Sequence, residues 1–426
     1  MRPDRFGLGR LPARLAPRLP FYYGWVVLAC VACAGFARQG PAVATLTVFV
    51  GPMTEEFGWS RTAISGAVSL GGVLAALASP FLGPYLDRRG ARTVLILAVL
   101  STGAACTALS LTPSLIVFYL LFCLGRMNFA GPFDLGIYGA VYSWFVRRRA
   151  LATSIATLSQ MLGLVLMPLI AHAAMLGGGW RAGWVAVGLS VLVVGFLPIW
   201  LFMARKPEDL GLAPDGATAP RAGTAGPARM PEEAAFTRPQ ALATPAFWLL
   251  ALFTLLVYPV QAGVSLHQAP HLLERGLSPT VAATTISAFS AVSALVSFGL
   301  GFWPARVPLR LALALTGGFL AVSALLMTAI ETPLGGYLSA AVFGVGIGGL
   351  MTMLPLAWAG YFGRASFGAI RGVALTVQVL AQAAGPLLSG LLRDLTGDYR
   401  ASLLTFAALA AAGAFVVLFA RPPARP

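Results

Sequence analysis

Long apolar stretches separated by short polar segments dominate the chain. A helix that crosses about 30 Å of hydrocarbon needs about 20 apolar residues. Stretches of that kind fall at 22–49, 62–84, 93–111, 115–143, 150–175 and 182–203. A polar stretch, 205–244, interrupts them, and six more follow at 246–268, 281–303, 309–330, 334–360, 370–392 and 401–420. Inside a bilayer each crossing must satisfy its own backbone N–H and C=O groups, so the pattern predicts helices. The expectation is an all-α membrane protein of twelve transmembrane helices. They would form two six-helix bundles related by a pseudo-two-fold axis along the membrane normal. The expected division is a tail at 1–21, a bundle at 22–204, a linker at 205–245, a bundle at 246–420 and a tail at 421–426. Rich in Pro, Ala and Gly, the linker reads as a flexible tether that cannot bury a core.

Composition agrees with that reading. Of 426 residues, 58% are apolar and 10% are charged, against about 25% charged in soluble domains. A net charge of +15 would suit nucleic acid, but no zinc-ligand set and no interleaved basic and aromatic surface accompanies it. The charge reads instead as topology. With the N-terminus inside, the inner segments hold 22 basic residues and the outer ones five, Arg61, Arg181, Arg275, Arg393 and Arg400. That bias predicts a cell (bacterial inner) membrane protein with both termini cytoplasmic. Cys30, Cys33, Cys106 and Cys123 all lie in apolar stretches and read as small buried hydrophobes. The arginine-rich start leads directly into Phe21 and an uncleaved first span, because too few apolar residues precede Cys30 to form a signal core.

Two motifs sharpen the picture. The loop after the second span reads Gly83-Pro84-Tyr85-Leu86-Asp87-Arg88-Arg89-Gly90-Ala91-Arg92. It resembles the G-x-x-x-D-R-x-G-R-K/R signature of the major facilitator superfamily, departing at Ala91. Glycine permits close helix approach, and charge-assisted hydrogen bonds from Asp and Arg can latch neighbouring helix ends. The resemblance marks Gly83, Asp87, Arg88, Gly90 and Arg92 as a cytoplasmic gate. In the second half, Gly301 to Arg310 keeps arginines but has Ala305 at the Asp position, so the latch is expected on one side only.

Trp144-Phe145-Val146-Arg147-Arg148-Arg149-Ala150-Leu151-Ala152-Thr153-Ser154-Ile155-Ala156 is similar to the Y-F-x-K-R-R-x-L-A-x-G-L-A signature of monocarboxylate transporters. Trp144 stands for Tyr and Ser154 for Gly. Tyr23-Gly24-Trp25, Glu56-Phe57-Gly58-Trp59-Ser60-Arg61, Arg205-Lys206-Pro207-Glu208-Asp209 and Gly385-Pro386 with Asp394 suit the same group and its oxalate/formate exchanger relatives. The resemblance implies a secondary transporter of small organic anions, working with a proton or by exchange. Efflux of drug-like solutes is an alternative, although Gln160-Met161-Leu162-Gly163 with Pro168 departs from the drug-antiporter run. A non-transporting solute sensor is another. The site of the monocarboxylate transporters does not carry over, because the eighth span has no charge before Arg306 and Ala44 stands where their first-span lysine would be.

The charges within spans lie in the first half: Arg38, Arg126 and Asp134. Each costs about 2.5–3.5 kcal/mol at mid-membrane and therefore needs a partner or a watery cavity. Arg38 lies about 24 Å along a helix from Tyr22, and Arg126 about 27 Å from Trp144, so the two are expected at similar depth. On an unbroken helix Asp134 would sit about 12 Å deeper than Arg126 and about 80° round. Gly40-Pro41 is expected to kink the first span. Arg38 and Arg126 are the expected anion-binding pair, since guanidinium groups bind carboxylates bidentately. Structural pairing within the bundle is the competing role. Asp134 is the expected proton-coupling group, with a salt bridge to Arg38 as its structural alternative. Tyr258, Gln261 and Gln378, with Gln382, are candidate cavity-wall residues, though buried polar groups also bridge helices. His267 and His271 read as an interfacial pair, with Glu274 the nearest acid. No Ser-His-Asp set, metal cluster or phosphate loop suggests an enzyme. The expected partners are a small organic anion and the lipid bilayer, with no nucleic acid, cofactor or metal, and the chain is expected to act as a monomer.

Overall fold

A computed structural model describes residues 10–216, 235–303 and 307–424. Ala305 and Arg306, the middle of the central stretch and residues 1–9 of the N-terminal tail lie outside the described residues. Among the described residues all regular structure is helical, and ten helices are long and apolar enough to cross a membrane.

Two departures from simple helices bring the crossings to twelve. Arg149–Phe202 spans 54 residues, about 80 Å if straight, well beyond one bilayer. Its path breaks at Gly178 (φ −153°, ψ 22°) and Gly179 (φ 66°, ψ −170°), which separates the fifth and sixth crossings. The positive φ at Gly179 is open to glycine at little cost. The first crossing is built from two shorter helices, Gly24–Ala37 and Val43–Phe57. Pro41 supplies no N–H, and the Thr45 hydroxyl donates to the Gln39 carbonyl at 2.8 Å across the break. The kink expected at Gly40-Pro41 is thus a full interruption.

The fourth crossing is also broken, which its apolar pattern did not reveal. Leu115–Ala130 and Pro132–Trp144 meet at Gly131 (φ −112°, ψ −85°). Pro132 starts the second piece, where its missing N–H is no loss. The angular offset expected between Arg126 and Asp134 assumed one continuous helix and does not apply.

The chain forms two compact units, Met1–Ala235 with Gly363–Val373, and Phe236–Phe362 with Ala374–Pro426. Helix Phe367–Thr396 therefore begins in the first unit and continues in the second. Missing side chains make this docking possible. A Cβ on Gly83 would collide with the Gly368 carbonyl, one on Gly368 with the Gly83 carbonyl, and one on Gly372 with the Ser79 carbonyl. Small residues at such contacts let backbones approach within a membrane.

The described ends of the central stretch are folded onto the helices, which corrects the tether reading there. Pro207 and Pro214 are buried. The Asp215 carboxylate accepts hydrogen bonds from the backbone N–H groups of Val146, Arg147 and Arg148 at 2.9, 2.6 and 3.3 Å. Farther along, Phe236 is buried against the Phe362 ring. Composition suggested free chain, but an acid that satisfies three converging N–H groups fixes it locally.

Candidate functional site

The two broken crossings deliver opposite charges to one place in the first unit. Asp134 stands in the first turn of Pro132–Trp144, at the positive end of that helix's dipole. Arg38 directly follows Gly24–Ala37, at the negative end. The breaks therefore give each buried charge a complementary partial charge from the backbone. Asp134 Oδ2 lies 3.8 Å from Arg38 Nη2. Its other oxygen, Oδ1, accepts a 3.1 Å hydrogen bond from Arg371 Nη2. The Asp134 and Arg371 side chains are 5% and 1% exposed, and that of Arg38 is 12%.

Neutral groups hold the rest of Arg38. Nε donates to the Phe129 carbonyl at 2.9 Å, and Nη1 donates to Gln160 Oε1. Its guanidinium carbon lies 4.5 Å from the Phe129 ring centroid. Arg126 approaches the same ring to 4.3 Å, its stem passing over Gly71, where a Cβ would collide. Arg126 has no carboxylate partner among the described residues, and its Nε is buried without an acceptor. The structure thus brings Arg38 and Arg126 to one ring, Phe129, and Arg38 and Arg371 to one carboxylate, Asp134. That positive excess suits an anion.

Arg371 opens the stretch 370–392, where by position alone it reads as one of the loop arginines. A signal was present. Tyr361-Phe362-Gly363-Arg364 repeats the aromatic pair and arginine of Trp144-Phe145-Val146-Arg147. On that internal repeat Arg371 occupies the place of Ser154, an arginine within the span proper.

The gate motif reaches the same segment. Asp87 accepts hydrogen bonds from the backbone N–H groups of Gly368 and Ala369, both at 2.8 Å. A carboxylate from one helix thereby caps the N-terminus of another. Arg92 Nη2 donates to the Trp200 carbonyl at 2.7 Å, and the Arg88 carbonyl accepts from Arg205 at 2.7 Å. Gly90 turns the chain at φ 85°. Arg364 adds a bond to the Ser143 carbonyl at 3.1 Å and an ion pair with Glu208 at 3.0 Å.

The remaining candidates belong to the second unit. Gln382 Nε2 donates to Gln261 Oε1 at 3.0 Å. Tyr258 and Gln378 are buried on the same two helices, which approach closely where Gly385 meets the Pro259 carbonyl. His267 contacts the Tyr399 hydroxyl at 3.2 Å and the Pro386 carbonyl at 3.3 Å, and His271 the Met327 carbonyl at 2.8 Å. Glu274 pairs with Arg393 at 2.9 Å.

Twelve crossings, two of them interrupted beside buried charge, give the architecture of membrane carriers in which broken helices hold charge near mid-membrane. The chain belongs to the Major Facilitator Superfamily, whose profile matches residues 27–386. It is a transporter-family protein and not an enzyme. It is 27% identical to human Monocarboxylate transporter 11 over 410 residues, covering 93% of this chain and 82% of that one. It is 30% identical over 190 residues to the Membrane sensor protein UhpC of Salmonella typhimurium, covering 43% of this chain and 42% of the sensor. The chain therefore spans less than half the length of UhpC in that match. The human organic anion transporter MFSD10 (TETRAN) shares the fold, with a TM-score of 0.72 at 17% identity over 92% of this chain and 99% of that one.

Proposed function

We propose that the protein is a secondary carrier of small organic anions, monocarboxylates foremost, which works by alternating access with proton symport or anion exchange. One observation carries this reading: Arg38 and Arg126 flank a single ring, Phe129, and Arg126 has no carboxylate partner among the described residues, while Asp134 is shared by Arg38 and Arg371. A guanidinium held by neutral acceptors keeps its charge for a ligand, and its planar fork matches a carboxylate. The similarity to a protein named a monocarboxylate transporter supports the same class.

In this reading Arg38 and Arg126 bind the anion. Tyr258, Gln261 and Gln378 contribute polar contacts on chemical grounds. Asp134 couples a proton, since protonation would weaken both of its ion pairs together. Gly83, Asp87, Arg88, Gly90 and Arg92 form the cytoplasmic gate, and the arginine bias puts both termini in the cytoplasm.

The test is uptake of radiolabelled small carboxylates into proteoliposomes under an imposed pH gradient. Saturable, concentrative uptake of at least one carboxylate is expected. Failure of every carboxylate to accumulate would overturn the carrier. The similarity to a protein named a membrane sensor favours one second reading, a solute sensor, which would bind a carboxylate without moving it.

A further inference from the structure

Asp134 is shared unequally. Arg371 has the close, hydrogen-bonded contact at 3.1 Å, whereas Arg38 stands at 3.8 Å and gives its own hydrogen bonds to the Phe129 carbonyl and Gln160. The segment that carries Arg371 is also held at its backbone, where Asp87 takes the N–H groups of Gly368 and Ala369. Two carboxylates thus grip Gly363–Val373, and one of them is the neighbour of Arg38. A buried carboxylate that loses its cation recruits the next one available. For Asp134 that group is Arg38, which Oδ2 already faces.

We propose that Arg371 is a positioning residue for the anion site. By holding Asp134 it leaves Arg38 to a substrate carboxylate, and when Gly363–Val373 withdraws, Asp134 pairs with Arg38 and displaces the bound anion. The latch and the site are then linked by competition of two carboxylates for one guanidinium. This inference rests on the reading of Arg38 as the anion-binding group.

Binding of radiolabelled lactate to the purified full chain tests it, beside thermal unfolding without ligand. Arg371→Gln lets Asp134 collapse onto Arg38, so lactate affinity falls by about tenfold or more. Adding Asp134→Asn to that variant frees Arg38 and restores affinity to within about threefold of the wild type, and Arg371→Lys keeps most of it. An unrestored double variant would overturn the proposal. In the ligand-free arm, Arg38→Gln lowers Tm more in the Arg371→Gln background than in the wild type, because only there is Asp134 committed to Arg38. Equal shifts in both backgrounds would overturn it as well. Wild-type lactate binding by Arg38→Gln would instead defeat the anion-site reading. If the wild type binds no lactate, the choice of monocarboxylate fails and the ligand-free arm still decides the exchange at Asp134.

Discussion

Within the first unit, Arg38 and Asp134 stand where helices are interrupted; within the second, the described crossings run unbroken and carry amides, hydroxyls and the imidazoles of His267 and His271. Arg38 and Asp134 each sit at the end of a half-helix. Gln261 and Gln382 bond to each other from the middle of continuous helices, and the ion pair of Glu274 with Arg393 lies near helix ends. The difference has a physical reason. A full charge in a membrane needs a counter-charge, and a helix terminus supplies part of one. A neutral amide needs one hydrogen-bond partner, which a neighbouring helix can give without unwinding. In the proposed function, the interrupted crossings mark the unit that recognises the anion.

Removal of charge should separate the halves most strongly. Asp134→Ala removes the carboxylate that Arg371 and Arg38 share and should destabilise the purified protein by about 3–5 kcal/mol. Gln261→Ala should cost about 1 kcal/mol or less. Fluorescence-detected thermal unfolding of the two variants would expose equal losses, which would break the comparison. Next in size, Gly83→Ala drives a methyl group into the Gly368 carbonyl and should cost about 1–3 kcal/mol together with much of the transport rate. Gly390→Ala, on the same docked helix with open space around it, should be neutral or stabilising by up to about 1 kcal/mol. The smallest effect is the Gln261–Gln382 bond itself. A double-mutant cycle on these two residues should return about 0.6 kcal/mol, a helix bridge of ordinary strength.

Much of the fold could be read from residue order because the bilayer fixes the length of an apolar run. The contact made by the loop after the second span was equally legible, since Gly83 and Asp87 meet the start of another helix and Gly90 turns the chain beside them. Gly40-Pro41 announced the first break through a missing N–H. Gly131-Pro132 has the same chemistry but lies inside a strongly apolar stretch whose length alone satisfied a single crossing. The candidate site was half legible. Arg38, Arg126 and Asp134 stood out as charges in apolar surroundings. Arg371 did not, because its partner lies 237 residues away and its position at the start of a span looked like a loop arginine. A pair that far apart in the chain leaves no trace in local periodicity.

Counterflow in proteoliposomes preloaded with the best-transported carboxylate tests the central claim most directly, with Arg38→Gln compared against Gln378→Ala. The account predicts that exchange is abolished by Arg38→Gln while the protein inserts normally, and that Gln378→Ala retains it to within about threefold. Exchange by Arg38→Gln at the wild-type rate would contradict the account.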